Sequence, residues 1–303
     1  MSKKILKINH YIEYYALKII SFIICILPER LALWKAKNFG TFLYYIIPLR
    51  KKIVLRNLSI AFPEKSEDDK RKIALKCYQH YAILFARFMR PPKLSEKYFR
   101  DKVINYDDAK AKAIEDFKDK GSIGLTAHFG DWEFLGSVLS FMGYPMTGVA
   151  KPMHNPLVDK YVIKMRDKKG LRMIETGGFF KKVVTLIKSK KTVVFIADQD
   201  ARKDGYFEDF FGKPASTFGG PALFSLKLNL PIYPWFCVSI GGGKYKIIFK
   251  DPIFPPKECS DKEEAMREIT RKHISVLEEV IREYPEQYFW FHRRWKTKIK
   301  KKK

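Results

Sequence analysis

The chain is poor in the features that name a chemistry at sight. It has four cysteines in 303 residues, Cys25, Cys77, Cys237 and Cys259, widely scattered and with no Cys-x-x-Cys pair. That argues against a disulfide framework and reads as reduced thiols in a protein facing the cytosol. Six histidines (His10, His80, His128, His154, His273 and His292) form no metal-ligand spacing with one another, so neither a metal nor another cofactor is expected. Gly-x-Ser-x-Gly, Gly-x4-Gly-Lys and Gly-x-Gly-x-x-Gly are all missing. Their absence removes the strained serine elbow, the phosphate-cradling P-loop and the dinucleotide fingerprint. No internal repeat and no low-complexity linker is present, which argues against a solenoid or a chain of tethered modules. Acids are scarce as well: 33 Asp and Glu face 59 Lys and Arg, a formal charge of +26.

That surplus predicts attraction to polyanions: nucleic acid, anionic lipid headgroups or an acidic carrier protein. Nucleic acid fits poorly. The bases are spread over helices beside acids rather than gathered into a recognition motif, and the apolar N-terminus is left unexplained. The hydrophobic share of 46% and the length suit one large α/β domain with an accessory segment.

The N-terminus opens with Lys3, Lys4 and Lys7, then runs apolar from Tyr11 to Leu27, broken only by Glu13, Lys18 and Ser21. A spanning helix needs roughly 20 mostly apolar residues, so this one is marginal. No small-x-small cleavage site follows, and basic residues before the run favour a cytoplasmic N-terminus. A short membrane anchor or an in-plane helix is expected, with a buried core helix as the alternative. Two helices broken at Pro28 cover 5–47, and Ser66 caps an amphipathic helix over 66–89 that Pro91-Pro92 stops.

From about residue 100 strands and helices alternate. Strands are expected at KVINY (102–106), SIGLTAH (122–128), MTGVA (146–150), RMIET (172–176) and TVVFIA (192–197). Between them lie helices of roughly a dozen residues, which argues for βαβ units and a mostly parallel central sheet. Two further apolar runs flank Gly241-Gly242-Gly243, a hairpin turn rather than a phosphate cradle. A long helix over 261–283 follows, then an aromatic segment and a tail, 293–303, with eight bases and no acid. The expected units are N-terminal helices (1–49), the α/β domain (50–292) and the basic tail (293–303), a clamp for anionic lipid or a solubilising end.

His128 and Glu133 stand five residues apart in TAHFGDWEFLG. On one continuous helix that is about 140° beyond a full turn, so the side chains would diverge. They meet only if His128 ends a strand and Glu133 lies in the first turn of the next helix. Gly130 permits the bend and Asp131 is a good N-cap. Ligands of open α/β sheets bind beyond the carboxyl ends of the strands, where a histidine with a carboxylate partner suits a general base. Asp131 and Glu133 equally suit capping and dipole matching, which would leave His128 in a loop. No serine or cysteine sits beside His128, so activation of a substrate hydroxyl fits better than covalent catalysis.

HFGDWE after a strand resembles the His-x4-Glu/Asp signature of the glycerolipid acyltransferase superfamily. RNLSIAFPE (56–64), KPMHNPLVDKYVIKMR (151–166), FIADQDA (195–201), FFGKPASTFGGPA (210–222) and PEQYFWFHRRWK (285–296) resemble successive blocks of the lipid A biosynthesis (lauroyl/myristoyl) acyltransferases. The resemblance covers nearly the whole chain in order. It implies a glycerolipid-acyltransferase-like α/β fold preceded by a membrane-associated helix. It also implies acyl transfer from a thioester, on acyl carrier protein or another donor, to a hydroxyl of an anionic glycolipid, a lipid A precursor. A lysophospholipid or an acylated mannoside is the alternative acceptor. The expected place is the cytoplasmic face of a bacterial inner membrane. By the same resemblance His128 is the base and Glu133 orients it. Arg166 holds a phosphate or the developing oxyanion, and Asp198, Lys151 and Asn155 join the substrate-binding residues. Lys151 stands where many members carry arginine; it keeps the charge and loses the bidentate fork.

Overall fold

The computed structural model describes residues 6–91, 93–175, 178–258 and 261–299. Six helices come first: α1 (Ile8–Ile26), α2 (Glu29–Tyr45), α3 (Lys51–Ala61), α4 (Glu67–Met89), α5 (Glu96–Lys102) and α6 (Tyr106–Phe117). The alternating part follows as β1 (Ser122–Thr126), α7 (Trp132–Phe141), β2 (Met146–Ala150), α8 (Pro156–Asp167), β3 (Arg172–Glu175), α9 (Phe179–Lys188) and β4 (Thr192–Ile196). Then come β5 (Tyr206–Phe210), β6 (Lys213–Thr217), α10 (Gly220–Leu228), β7 (Ile232–Gly241), β8 (Lys244–Phe249) and α11 (Lys262–Glu283).

Six strands form one sheet in the order β3-β2-β4-β1-β7-β8, parallel except where β8 returns antiparallel on β7. The order reverses around β4 and β1, the geometry that opens a crevice beyond the strand ends. Apolar side chains of α6 and α7 cover one face of the sheet, and those of α9, α10 and α11 cover the other. β1 is buried along its whole length, as a central parallel strand must be. Gly241, Gly242 and Gly243 turn β7 into β8 with φ of 88°, 58° and 76°, a conformation glycine alone adopts without strain. The expected strand at 102–106 is absent: Val103 makes an isolated bridge to Tyr245, because α5 and α6 take the residues on either side.

The third apolar cluster joins the N-terminal helices to the C-terminal aromatic segment. Val54 and Leu58 of α3 and Cys77 and Tyr78 of α4 pack with Tyr288 and Trp290. Asn57 fastens this seam, its Nδ2 donating to the carbonyls of Trp290 (2.8 Å) and His292 (2.7 Å). The basic stretch therefore begins inside the molecule. Arg294 is 2% exposed and donates to the Ser216 carbonyl and Thr217 Oγ1, while Trp295 stacks on Phe210. Residues 300–303 and Cys259 lie outside the described residues; Cys25, Cys77 and Cys237 are free thiols.

The N-terminal helices end where Pro28 predicts, but among the described residues no helix is long and apolar enough to cross a membrane. The spanning form of the anchor is not supported: α1 has the length, but Asn9, His10, Glu13 and Lys18 leave it too polar to cross. α1 is inverted relative to a core helix. Its buried residues are His10 and Ser21, while Ile8, Ile12, Tyr15, Ile19, Phe22 and Ile26 are exposed at helical spacing. Its inner face docks on α8, where Tyr161 donates to Ser21 and Asn155 Nδ2 donates to Glu13 Oε2 and the His10 carbonyl.

Candidate active site

β1 and β4 run side by side with Thr126 opposite Ile196. Each continues two residues past its last ladder position, as Thr-Ala-His and Ile-Ala-Asp. His128 therefore comes out opposite Asp198, and its Nδ1 lies 2.9 Å from Asp198 Oδ1. The Asp198 side chain is 2% exposed and that of His128 is 27% exposed. The His128 carbonyl accepts from the Tyr81 hydroxyl (2.8 Å) and the Phe289 amide (3.0 Å), and the ring lies against Trp132 and Phe289. Gln199 Nε2 sits 3.4 Å from the same Nδ1. Among the described residues Nε2 has no hydrogen-bond partner, and His128 lines a large cavity.

The bend after His128 depends on Gly130. Its φ is +60°, and a Cβ there would fall 1.9 Å from the Cys237 carbonyl oxygen, so no other residue fits. The backbone is held on both sides, Gly130 N to the Gln287 carbonyl and Asp131 N to the Cys237 carbonyl. Asp131 then caps α7, accepting from Phe134 N (2.9 Å) and the Tyr245 hydroxyl (2.9 Å). Glu133 lands in the first turn of α7, as the spacing predicts.

Its partner differs from the expectation. Glu133 is gripped by Arg166, with Nε at 3.0 and 3.2 Å from the two carboxylate oxygens and Nη2 at 2.6 Å. Asp198, expected among the substrate contacts, is the group that holds the imidazole. The cause is geometric: neighbouring parallel strands stand only about 4.8 Å apart, whereas Glu133 on α7 reaches toward α8. Arg166 Nη1 has no partner among the described residues, and Arg166 lines the same cavity. Lys151 is exposed at the cavity's rim. Asn155 is committed elsewhere. Its Oδ1 caps α8 at Leu157 N and Val158 N, and its Nδ2 ties down α1, so the amide has no donor left for a ligand.

Burial disfavours the imidazolium of His128. The charge and hydrogen bond of Asp198 outweigh that, the Glu133 charge helps, and the pKa is raised above its ordinary 6.5. Burial likewise pushes Asp198 up, but the adjacent imidazole prevails and its carboxyl lies below the ordinary value. The two shifts agree: the pair favours its ionic form, which makes the His128 imidazole more basic.

The cavity measures about 780 Å³. Leu135, Leu139, Leu171, Phe117, Met173 and Trp235 are among its walls, and His128, Glu133, Arg166 and Lys151 mark its polar side. Thr126, on the same face of β1 as His128, presents to it a buried hydroxyl without a partner among the described residues. The sequence reasoning missed Asn57, Tyr81, Gln199 and Phe289 as supports of the site. The sequence shows that TAH and IAD each end an apolar run, but only the fold aligns the two strands and brings Asp198 to His128.

The family profile for bacterial lipid A biosynthesis acyltransferases matches residues 1–297. The chain is 27% identical to a lipid A biosynthesis lauroyltransferase of Escherichia coli (strain K12) over 256 residues, covering 82% of this chain and 80% of that one. It is 24% identical to a lipid A biosynthesis palmitoleoyltransferase of the same organism over 281 residues, covering 90% and 87%. A phosphatidylinositol mannoside acyltransferase of Mycolicibacterium smegmatis is 23% identical over 128 residues, covering 41% and 42%. The chain belongs to the bacterial lipid A biosynthesis acyltransferase family and is an acyltransferase of the lipid A secondary type.

Proposed function

We propose that the protein moves a fatty acyl chain from an acyl carrier protein thioester to a hydroxyl of a phosphorylated lipid A precursor. The observation that carries this reading is the His128 imidazole, held at Nδ1 by Asp198 and turned toward a large apolar cavity. His128 Nε2 takes the proton of the acceptor hydroxyl as its oxygen attacks the thioester carbon. The tetrahedral intermediate collapses with loss of the C–S bond, and the imidazolium returns its proton to the departing thiolate. Asp198 fixes the tautomer and stabilises the cation. Glu133 clamps Arg166, and the uncommitted Nη1 of Arg166 is offered to the oxyanion or to an acceptor phosphate. The hydrocarbon chain fills the cavity, where each buried methylene contributes roughly 0.8 kcal/mol.

Charge and surface support the partners. A protein of formal charge +26 suits an acidic carrier and an anionic acceptor. The outward apolar faces of α1 and of α2, which exposes Leu31, Trp34, Phe42 and Tyr45, suit helices lying in the lipid interface rather than crossing it. We place the protein in this way on the cytoplasmic face of the bacterial inner membrane, with the exposed Lys151 available to headgroup phosphates. The mannoside acyltransferase relative keeps a second acceptor class open, a mannosylated glycolipid. The test is thiol release from the carrier-bound thioester by purified protein. Release that requires the lipid A precursor and disappears in His128→Ala supports the reading. Release that ignores the acceptor, or survives in the variant, rejects it.

A further inference from the structure

The strand register contains a feature that acyl transfer as such does not require. Met173, Gly148, Val194, Gly124 and Tyr233 stand side by side in one row across five strands. All five line the cavity. Two glycines inside central strands weaken them, having no side chain to pack and more backbone freedom to lose. Here they flank Val194 and lower the sheet surface on both sides of it. The roof repeats the device: Gly136 of α7 faces Leu171, and a Cβ there would lie 2.2 Å from Leu171 Cδ2. The cavity is thus a trough cut across the strands, perpendicular to the direction in which His128 enters it.

The trough has two unlike ends. Toward β7 it meets polar groups: the Tyr233 hydroxyl accepts from Lys120 Nζ (3.2 Å), and Trp235 Nε1 donates to Asp116 (3.0 Å). Toward β3, the edge strand, it is lined by the flexible thioether of Met173 and by Leu171. From β1 to β3 is three strand spacings, about 14 Å. A Cβ at Gly148 would sit 2.9 Å from Met173 Cε, and one at Gly124 3.0 Å from Val194 Cγ2. A side chain at Gly148 therefore displaces the Met173 thioether, and one at Gly124 presses on Val194, so either narrows the trough.

We propose that the donor's acyl chain turns under α7 and lies across β1, β4 and β2 toward Met173. Gly148 and Met173 then set the longest chain accepted, and Gly124 keeps the bend open. This rests on the cavity being the acyl slot. The test gives purified protein a series of saturated acyl thioesters of increasing length with one fixed acceptor, and reads kcat/KM at each length. Gly148→Val is expected to spare short chains and penalise long ones, by roughly fourfold for each methylene refused its place. Met173→Ala is expected to move the optimum the other way, toward longer chains, and does not depend on the tolerance of β2 for a side chain. Wild-type transfer with an unmoved length profile in both variants, or a uniform loss at all lengths, overturns the proposal and leaves the acyl-transfer reading standing. Failure of the wild type at every length overturns that reading as well.

Discussion

Replacing Asp198 with asparagine removes the anion beside His128 and little else. The two side chains have nearly the same shape, and Asp198 is buried at 2.9 Å from Nδ1. A hydrogen bond to a charged group is worth about 1.5–3 kcal/mol. Its loss therefore lowers the imidazole pKa. The sign follows from what remains: burial and Arg166 both push His128 down, and only the Glu133 charge still supports it. A base must be unprotonated, so kcat/KM rises with pH through the His128 pKa. In the wild type the midpoint of that acid limb lies above 6.5, and in Asp198→Asn it moves to lower pH. The plateau rate also drops, by about 10²- to 10⁴-fold, because an amide can present its NH2 to Nδ1 and favour the tautomer whose proton blocks Nε2. The assay is the pH profile of kcat/KM for thiol release from a thioester donor. A limb that stays in place, or moves to higher pH, refutes the assignment of Asp198 as the partner of His128.

Glu133→Gln is expected to cut turnover by about 10²-fold or more while the fold survives, since it leaves Arg166 without its anion beside the reacting atoms; activity and a circular dichroism melt on the same sample check it. Asn57→Ala removes one buried and one partly buried hydrogen bond to backbone carbonyls and is expected to cost about 2–3 kcal/mol, seen as a lower denaturant midpoint with an unchanged slope. His273 is buried and held down to about 4 by burial. The unfolded chain therefore binds the extra proton as pH falls from 6.5 toward 4, and stability falls with it. His273→Leu is expected to flatten that decline in denaturation curves taken across the window. Removing the apolar stripe of α1 with Ile12→Ser, Ile19→Ser and Phe22→Ser together is expected to lower flotation with anionic vesicles, leaving the melt unchanged because those side chains are exposed.

The alternating half of the fold was legible because period and punctuation agree there. SIGLT, MTGVA and TVVFI are short apolar runs between capped amphipathic segments, and each becomes a parallel strand. Misreadings occur where tertiary contacts decide. KVINY has strand propensity, but Phe99 and Tyr106 are drawn into the α6 and α7 core, and that holds both neighbours helical. The β5–β6 hairpin was invisible because it is stabilised by residues distant in sequence, Arg294 and Trp295, which approached as members of a basic tail. At the site, the bend at Gly130 and the cap at Asp131 followed from residue type alone. The partner of His128 did not, because pairing between β1 and β4 brings together residues 70 apart. Local spacing pointed to Glu133, and strand adjacency outweighed it.

In the proposed reaction His128, held by Asp198, activates the lipid A precursor hydroxyl that receives one acyl chain. The most direct measurement is the mass of the host's lipid A after the gene is removed and restored in two forms. The account predicts loss of one acyl group on removal, full recovery with the wild-type chain and no recovery with His128→Ala made to the same level. An unchanged lipid on removal, or recovery by the alanine variant, would contradict it.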